Sequence, residues 1–233
     1  MKTIHIEDTG AIETIVERVR HEVVLLQLPT VYTLIAAPTR EGVEQLNAHK
    51  NRLEGKNYGT VLGKAHNFLE HARAGAMPTC FQENDRLEQL QGAFVRAEFT
   101  DRCFESPVIR NGTHQSLILD GIHRSLFVEA EKHLQDLVDP TLWGGKKVST
   151  LLCTSANLSG DPLGSIVDKQ RAMDFARERR IGLFVNCQAD ETAQGSYPIF
   201  EFSGEKVSIQ REGPGVQRIL AKIPKTVQRS VAA

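Results

Sequence analysis

Ile12, Ile15, Val16 and Val19 recur at steps of three and four residues, which places them on one face of a helix. The run Glu22-Val23-Val24-Leu25-Leu26-Gln27-Leu28 follows and reads as a buried strand, stopped by Pro29 because proline cannot donate to a ladder. Thr39 then has the side chain to cap a helix whose Val43 and Leu46 face inward, with Lys50 and Arg52 at or just past its end. A short strand over 60–62 and a helix over about 64–73 come next. Between residues 74 and 110 the pattern is weakest; it predicts a helix around 85–91 and a strand around 94–99.

The second half repeats the alternation. Residues 116–119 read as a strand, followed by a helix with Leu126, Phe127, Ala130, Leu134 and Leu137 on one side. A buried strand over 148–153 runs into the polar stretch Thr154-Ser155-Ala156-Asn157-Leu158-Ser159-Gly160, and a helix over about 167–180 leads to a strand over 181–185. Strands over 197–202 and 207–210 form a hairpin around Ser203-Gly204. Strands separated by helices at first and adjacent at the end predict an α/β fold with a twisted mixed sheet and a single domain over 1–223, followed by a frayed tail over 224–233.

The chain has 233 residues, 40% of them hydrophobic, enough for one large α/β core. Its 28 Lys and Arg nearly cancel 29 Asp and Glu, so no global positive field advertises nucleic acid or an anionic membrane, and any anion site must be local. No apolar run reaches the about eighteen residues of a membrane helix, and the N-terminal residues lack the apolar core of a secretory signal; a cytoplasmic protein without a membrane partner is expected. Cys80, Cys103, Cys153 and Cys187 lie far apart with no paired spacing, which predicts free thiols and no metal held by protein side chains. The stretch Gly59-Thr60-Val61-Leu62-Gly63-Lys64 is one residue short of a phosphate-binding P-loop, with Ala65 in place of its hydroxyl residue, and is not one.

Two polar corners carry chemistry. Lys50 offers a point charge and Arg52 a planar fork two residues on, a combination that grips phosphate or carboxylate oxygens when a short extended segment turns both to one side; a lysine ending a helix also simply complements the macrodipole. Thr154, Ser155 and Asn157 gather hydroxyls and an amide after a buried strand, the end of an α/β sheet where ligands sit, although the same residues also make polar turns. Thr30 and Arg211 end the first and last strands read above.

In order and spacing these pieces resemble the Sua5/YrdC/YciO family over roughly residues 10–215. Pro29-Thr30 followed by Val31-Tyr32 is similar to the family opening, Lys50-x-Arg52 with Ser155-x-Asn157 to its K-x-R and S-x-N signature, and Ser196 through Arg211-Glu212-Gly213 to its closing segment. The resemblance implies an open YrdC-like groove and an L-threonylcarbamoyladenylate synthase, a nucleotidyltransferase using ATP, bicarbonate and L-threonine with Mg2+ for tRNA threonylcarbamoyladenosine modification, a second transferase completing the tRNA step. It assigns catalysis to Lys50, Arg52, Ser155 and Asn157, and substrate or nucleotide binding to Thr30, Lys56, Thr154, Ser196 and Arg211. The alternatives are a non-catalytic RNA-binding YciO-like paralogue and a carbamoyl-adenylate enzyme with another acceptor. Two departures stand out. Thr33 replaces the glycine after the family's aromatic, and the family strand with a ligand-facing arginine corresponds to Ser116-Leu117-Ile118-Leu119-Asp120, an acid for a base.

Overall fold

The computed structural model describes residues 1–53, 56–82, 84–188 and 194–229. Its strands are β1 (Lys2–His5), β2 (Val24–Gln27), β3 (Tyr32–Ala36), β4 (Gly59–Leu62), β5 (Ala93–Glu98), β6 (Thr113–Ile118), β7 (Leu152–Ser155), β8 (Leu183–Asn186), β9 (Ile199–Ser203), β10 (Lys206–Arg211) and β11 (Gln228–Arg229). They join in one mixed sheet of order β1-β8-β2-β3-β7-β4-β6-β5-β9-β10-β11. The helices are α1 (Ala11–Val19), α2 (Arg40–Lys50), α3 (Ala65–His71), α4 (Asn84–Glu88), α5 (Gly121–His133), α6 (Lys169–Glu178) and α7 (Val216–Leu220).

Successive strand residues point to opposite faces, so each buried strand feeds two cores. Leu25, Leu34, Val95 and Phe200 face one side, where Val43 and Leu46 of α2, Phe68 of α3, Leu87 of α4, Phe175 of α6 and Ile219 of α7 cover them. Val24, Leu26, Ile35 and Val61 face the other, covered by Ile15, Val16 and Val19 of α1 and Leu126, Phe127 and Ala130 of α5. Each large apolar side chain so buried contributes about 2 kcal/mol by area removed from water. Only α1 and α5 belong to the second core among the described residues. The far part of that face, around Phe94, Leu117, Cys153 and Ile199, carries no helix and lines an open groove.

Three expectations change and a fourth is extended. The chain turns after Pro29 and returns as β3, antiparallel to β2 with Leu25 opposite Leu34, a strand the sequence reading lacked. The strand expected over 148–153 lies at β7 instead, because β3 pairs Thr33 with Ser155 and Ile35 with Cys153 and so draws Thr154 and Ser155 into the ladder. The strands β9 and β10 form the expected hairpin, yet β9 also pairs in parallel with β5, which carries the hairpin into the sheet. The tail is not frayed throughout: Val227 is buried and Gln228–Arg229 pairs with Lys206 and Val207; residues 230–233 lie outside the described residues.

The loop from β4 into α3 explains why the P-loop-like stretch is not one. Its backbone N–H groups at Gly63 and Lys64 donate to the Glu131 carboxylate of α5 at 2.7 and 3.2 Å, and Asn67 Nδ2 donates to it at 2.5 Å. A protein carboxylate thus fills the place where a phosphate would sit. Gly63 is required by close approach: a Cβ there would come within 2.6 Å of Val128 N and 2.7 Å of Phe127 O.

Burial raises the Glu131 carboxyl from 4.5 to about 7, against the lowering effect of its three donors. The native state therefore holds a proton that the unfolded chain has lost between those values. That contribution to stability is present in acid and is lost as pH rises through the window. Denaturant titrations across it should show stability falling with pH in the wild type and a flatter profile in Glu131→Gln. Gly63→Ala, which forces α5 away from β4, is expected to cost about 1–3 kcal/mol in the same titrations.

Candidate functional site

Lys50 joins the two corners that lie a hundred residues apart in sequence. Thr39 caps α2 by accepting from Gly42 N at 2.9 Å, and Asn51 closes the helix in the left-handed region with φ 46°. Lys50, the last helical residue, is 2% exposed. Its Nζ donates to the carbonyls of Ser155 and Asn157 at 2.5 and 2.6 Å, and its own carbonyl accepts from Ser159 N at 2.9 Å. Ser155 Oγ donates to Asn157 Oδ1 at 2.6 Å and Asn157 Nδ2 to Leu158 O at 2.8 Å. The serine and asparagine of the S-x-N pair are thus bonded to their own loop, and Lys50 clasps that loop by side chain and main chain. Burial, reinforced by Arg52 and Lys56, lowers the Lys50 amine to about 7.

The groove beside this clasp has a volume of about 350 Å3. Lys50, Arg52, Lys56, Arg96, Arg110 and Arg211 line it, and no Asp or Glu does so among the described residues. Two of these arginines are held by backbone carbonyls and aromatic rings. Arg52 donates through Nε to Lys56 O at 3.3 Å and through Nη2 to Asn57 O at 2.7 Å, with its guanidinium 4.3 Å from the centre of the Tyr58 ring. Arg211 donates through Nε and Nη2 to Tyr197 O at 3.1 and 2.7 Å and lies 5.8 Å from the Phe94 ring centre. Each keeps its Nη1 hydrogens and one on Nη2 for a ligand. Burial lowers both arginines, yet a guanidinium starts so high that both stay charged. Cys153, also in the lining, is no nucleophile, because burial pushes its thiol up.

Of the residues singled out in sequence, Lys50, Arg52, Lys56, Thr154, Ser155, Asn157, Ser196 and Arg211 all come together on this groove. Thr30 does not line it: its hydroxyl donates to Gly195 O at 2.9 Å, and Gly195 N returns a bond to Thr30 O, so it anchors the segment that carries Ser196. Asp120 does not place an acid in the groove. It precedes α5, is exposed and accepts from Gln91 Nε2 at 3.0 Å. The side chains facing the groove from this part of the sheet are instead Arg96 of β5 and Thr113, Gln115 and Leu117 of β6. Arg96, Arg110, Tyr58, Phe94 and Gln115 were missed; the alternation Phe94-Val95-Arg96 was the available signal, since an arginine two residues from a sheet-facing phenylalanine shares its face.

No protein-family profile matches the chain, and no curated protein matches it in sequence. Solved structures do. Sua5 of P. abyssi complexed with L-threonine is 14% identical with a TM-score of 0.68 over 99% of this chain, and a doubly substituted variant of it is 15% identical with a TM-score of 0.67 over 98%. YciO of E. coli is 14% identical with a TM-score of 0.62, covering 91% of this chain and 94% of its own. The chain has the Sua5/YciO fold. It spans 63% of the length of the L-threonine-bound Sua5 and 66% of the variant. Full-length HypF in a phosphate- and nucleotide-bound form matches over 88% of this chain and 29% of its own, at 16% identity and a TM-score of 0.61.

In this chain the groove is closed by a buried lysine whose donors are spent on the protein itself. Lys50→Met removes the charge and leaves two carbonyls without donors, so it should lower stability by about 3 kcal/mol in denaturant titration. Lys50→Arg, whose planar fork does not fit between two carbonyls meant for an ammonium, should fail to restore it. Unchanged stability in Lys50→Met would show that the clasp contributes nothing.

Proposed function

We propose that the chain is a divergent member of the Sua5/YrdC/YciO family and that its groove binds ATP, with L-threonine and bicarbonate, to form L-threonylcarbamoyladenylate for tRNA modification. The observation that carries this reading is a groove lined by six basic side chains and, among the described residues, no carboxylate, set over an apolar floor of Phe94, Leu117 and Ile199. A phosphate chain matches the rim and a planar base the floor. The structural likeness to a Sua5 complexed with L-threonine and to a phosphate- and nucleotide-bound HypF supports it.

In this reading the threonine amine adds carbon dioxide to give a carbamate, whose oxygen attacks the α-phosphorus of ATP while pyrophosphate leaves in line. The chain positions anions and spreads charge. Arg52 and Arg211 present their free Nη edges to phosphate and carboxylate oxygens, and Lys56 adds charge at the mouth. Lys50, Ser155 and Asn157 hold the loop against which the phosphates lie, and Thr154 and Ser196 supply hydroxyls to the lining. Among the described residues no carboxylate lines this groove to hold magnesium, and His, Cys, Asp and Glu form no group of three or more. It accompanies the polyphosphate in this reading, and no step here depends on it.

Pyrophosphate release measured with ATP should require L-threonine and bicarbonate together and fall by at least about tenfold in kcat/KM in Arg52→Met and Arg211→Met. Release that is indifferent to threonine removes threonine as the acceptor. A second reading, RNA binding without catalysis, draws on Lys56 and Arg110, exposed at the groove mouth with no side-chain partner among the described residues. It requires a gel shift that weakens steeply with salt, in a protein that releases no pyrophosphate.

A further inference from the structure

Three strands lay two parallel rows across the floor of the groove. In the register of β5 with its neighbours, Phe94 stands between Leu117 of β6 and Ile199 of β9; two residues on, Arg96 stands between Gln115 and Glu201. The first row is apolar and the second polar. Within the polar row Arg96 Nη2 donates to Gln115 Oε1 at 2.5 Å and Nη1 to Glu201 Oε2 at 3.3 Å.

A guanidinium has donors only, so the end of the Gln115 amide that faces Arg96 must be its oxygen. Nε2 is thereby turned the other way, towards Gly59. A Cβ at Gly59 would come within 3.3 Å of Gln115 Nε2 and 2.7 Å of Phe94 Cε1, so the amide and the ring converge on the space that the missing side chain leaves. Gln115 is only partly buried and lines the groove, and its Nε2 has no hydrogen-bond partner among the described residues. A donor pair of fixed orientation therefore lies beside an aromatic and aliphatic floor. Glu201 offsets the Arg96 charge, so this row is a poorer anion site than the Arg52 and Arg211 ends.

We propose that Gln115 is the specificity-determining residue of the groove: a nucleotide base rests on the row Leu117–Phe94–Ile199 and one of its acceptor atoms takes a hydrogen bond from Gln115 Nε2. Arg96 and Glu201 are positioning residues that hold the amide in one orientation. This rests on the nucleotide reading above and deepens it by assigning the base to the apolar row and the phosphates to the Arg52 side of the groove, with Arg211, 5.8 Å from the Phe94 ring centre, between the two.

Calorimetric titration with ATP and with inorganic tripolyphosphate separates the two ends. Gln115→Leu should weaken ATP binding by about five- to tenfold and leave tripolyphosphate within about twofold of the wild type. Retained tripolyphosphate binding also shows that the groove is folded. Arg96→Met frees the amide to rotate, so the preference for ATP over tripolyphosphate should shrink, whereas Arg96→Lys keeps a donor on Oε1 and should preserve it. The ratio cancels the loss of charge common to both ligands. Parallel weakening of both ligands in Gln115→Leu, or no change in either, overturns the assignment. A wild-type protein that binds neither ligand overturns the nucleotide reading itself, and this inference with it.

Discussion

A buried ammonium between two backbone carbonyls is the constraint on which the groove is built. Lys50 sits at the end of α2, and Ser155 and Asn157 follow the middle of the sheet, so the bond between them fixes a helix terminus against a strand terminus. An uncompensated buried charge costs several kcal/mol, and here it is met by carbonyl oxygens alone. A carboxylate partner would have neutralised the site; neutral acceptors satisfy the amine without adding negative charge to the groove, and burial, which brings it to about 7, leaves it only partly protonated near neutrality. The same choice recurs at Arg52 and Arg211, each tied to main-chain carbonyls and set over an aromatic ring. Two guanidinium charges, with the protonated fraction of the Lys50 amine, are thus fixed in place without cancelling the positive field that would attract an anion.

That field costs stability, because like charges crowd one cleft, and the cost appears in the amine of Lys50, lowered by Arg52 and Lys56 after burial itself. A chain whose total charge is close to zero carries this local excess only by segregation. Among the described residues the acids lie elsewhere: Glu131 is turned inward to the β4–α3 loop, Asp120 is on the exposed rim of α5, and Glu201 is paired with Arg96. Net charge read from composition therefore ruled out a basic protein, not a basic site.

Much of this was legible in the sequence where the pattern was periodic. The faces of α1, α2 and α5, the strands β2, β4 and β8, and the closing hairpin all follow from spacing of apolar residues. The return strand β3 escaped because its residues are buried throughout and Pro29-Thr30 reads equally well as a strand end followed by a loop. Missing β3 then displaced β7, since Thr154 and Ser155 look like a loop until a partner strand claims them. The order of Lys50, Arg52, Ser155 and Asn157 pointed to the groove correctly, but the direction of their hydrogen bonds could not be read from order. Asp120 was matched to a ligand-facing position by the resemblance of Ser116–Asp120 to the family strand, and the structure places Arg96 there from the next strand over. Registers between strands, unlike periodicity within one, depend on contacts far apart in sequence.

The stretch Gly59–Lys64 shows how far composition can mislead and what decides instead. Its two glycines and terminal lysine resemble a phosphate loop, yet each glycine answers a steric demand: Gly63 lets α5 approach β4, and Gly59 leaves room for Phe94 and Gln115. The loop amides that a phosphate would need already hold Glu131. The groove instead gathers its donors as side chains, from α2, β5 and β10 and the loops beside them. Side-chain donors on separate elements can each be replaced without unmaking a loop. A fold kept at about 15% identity leaves such a site to be set by the individual side chains grafted on it.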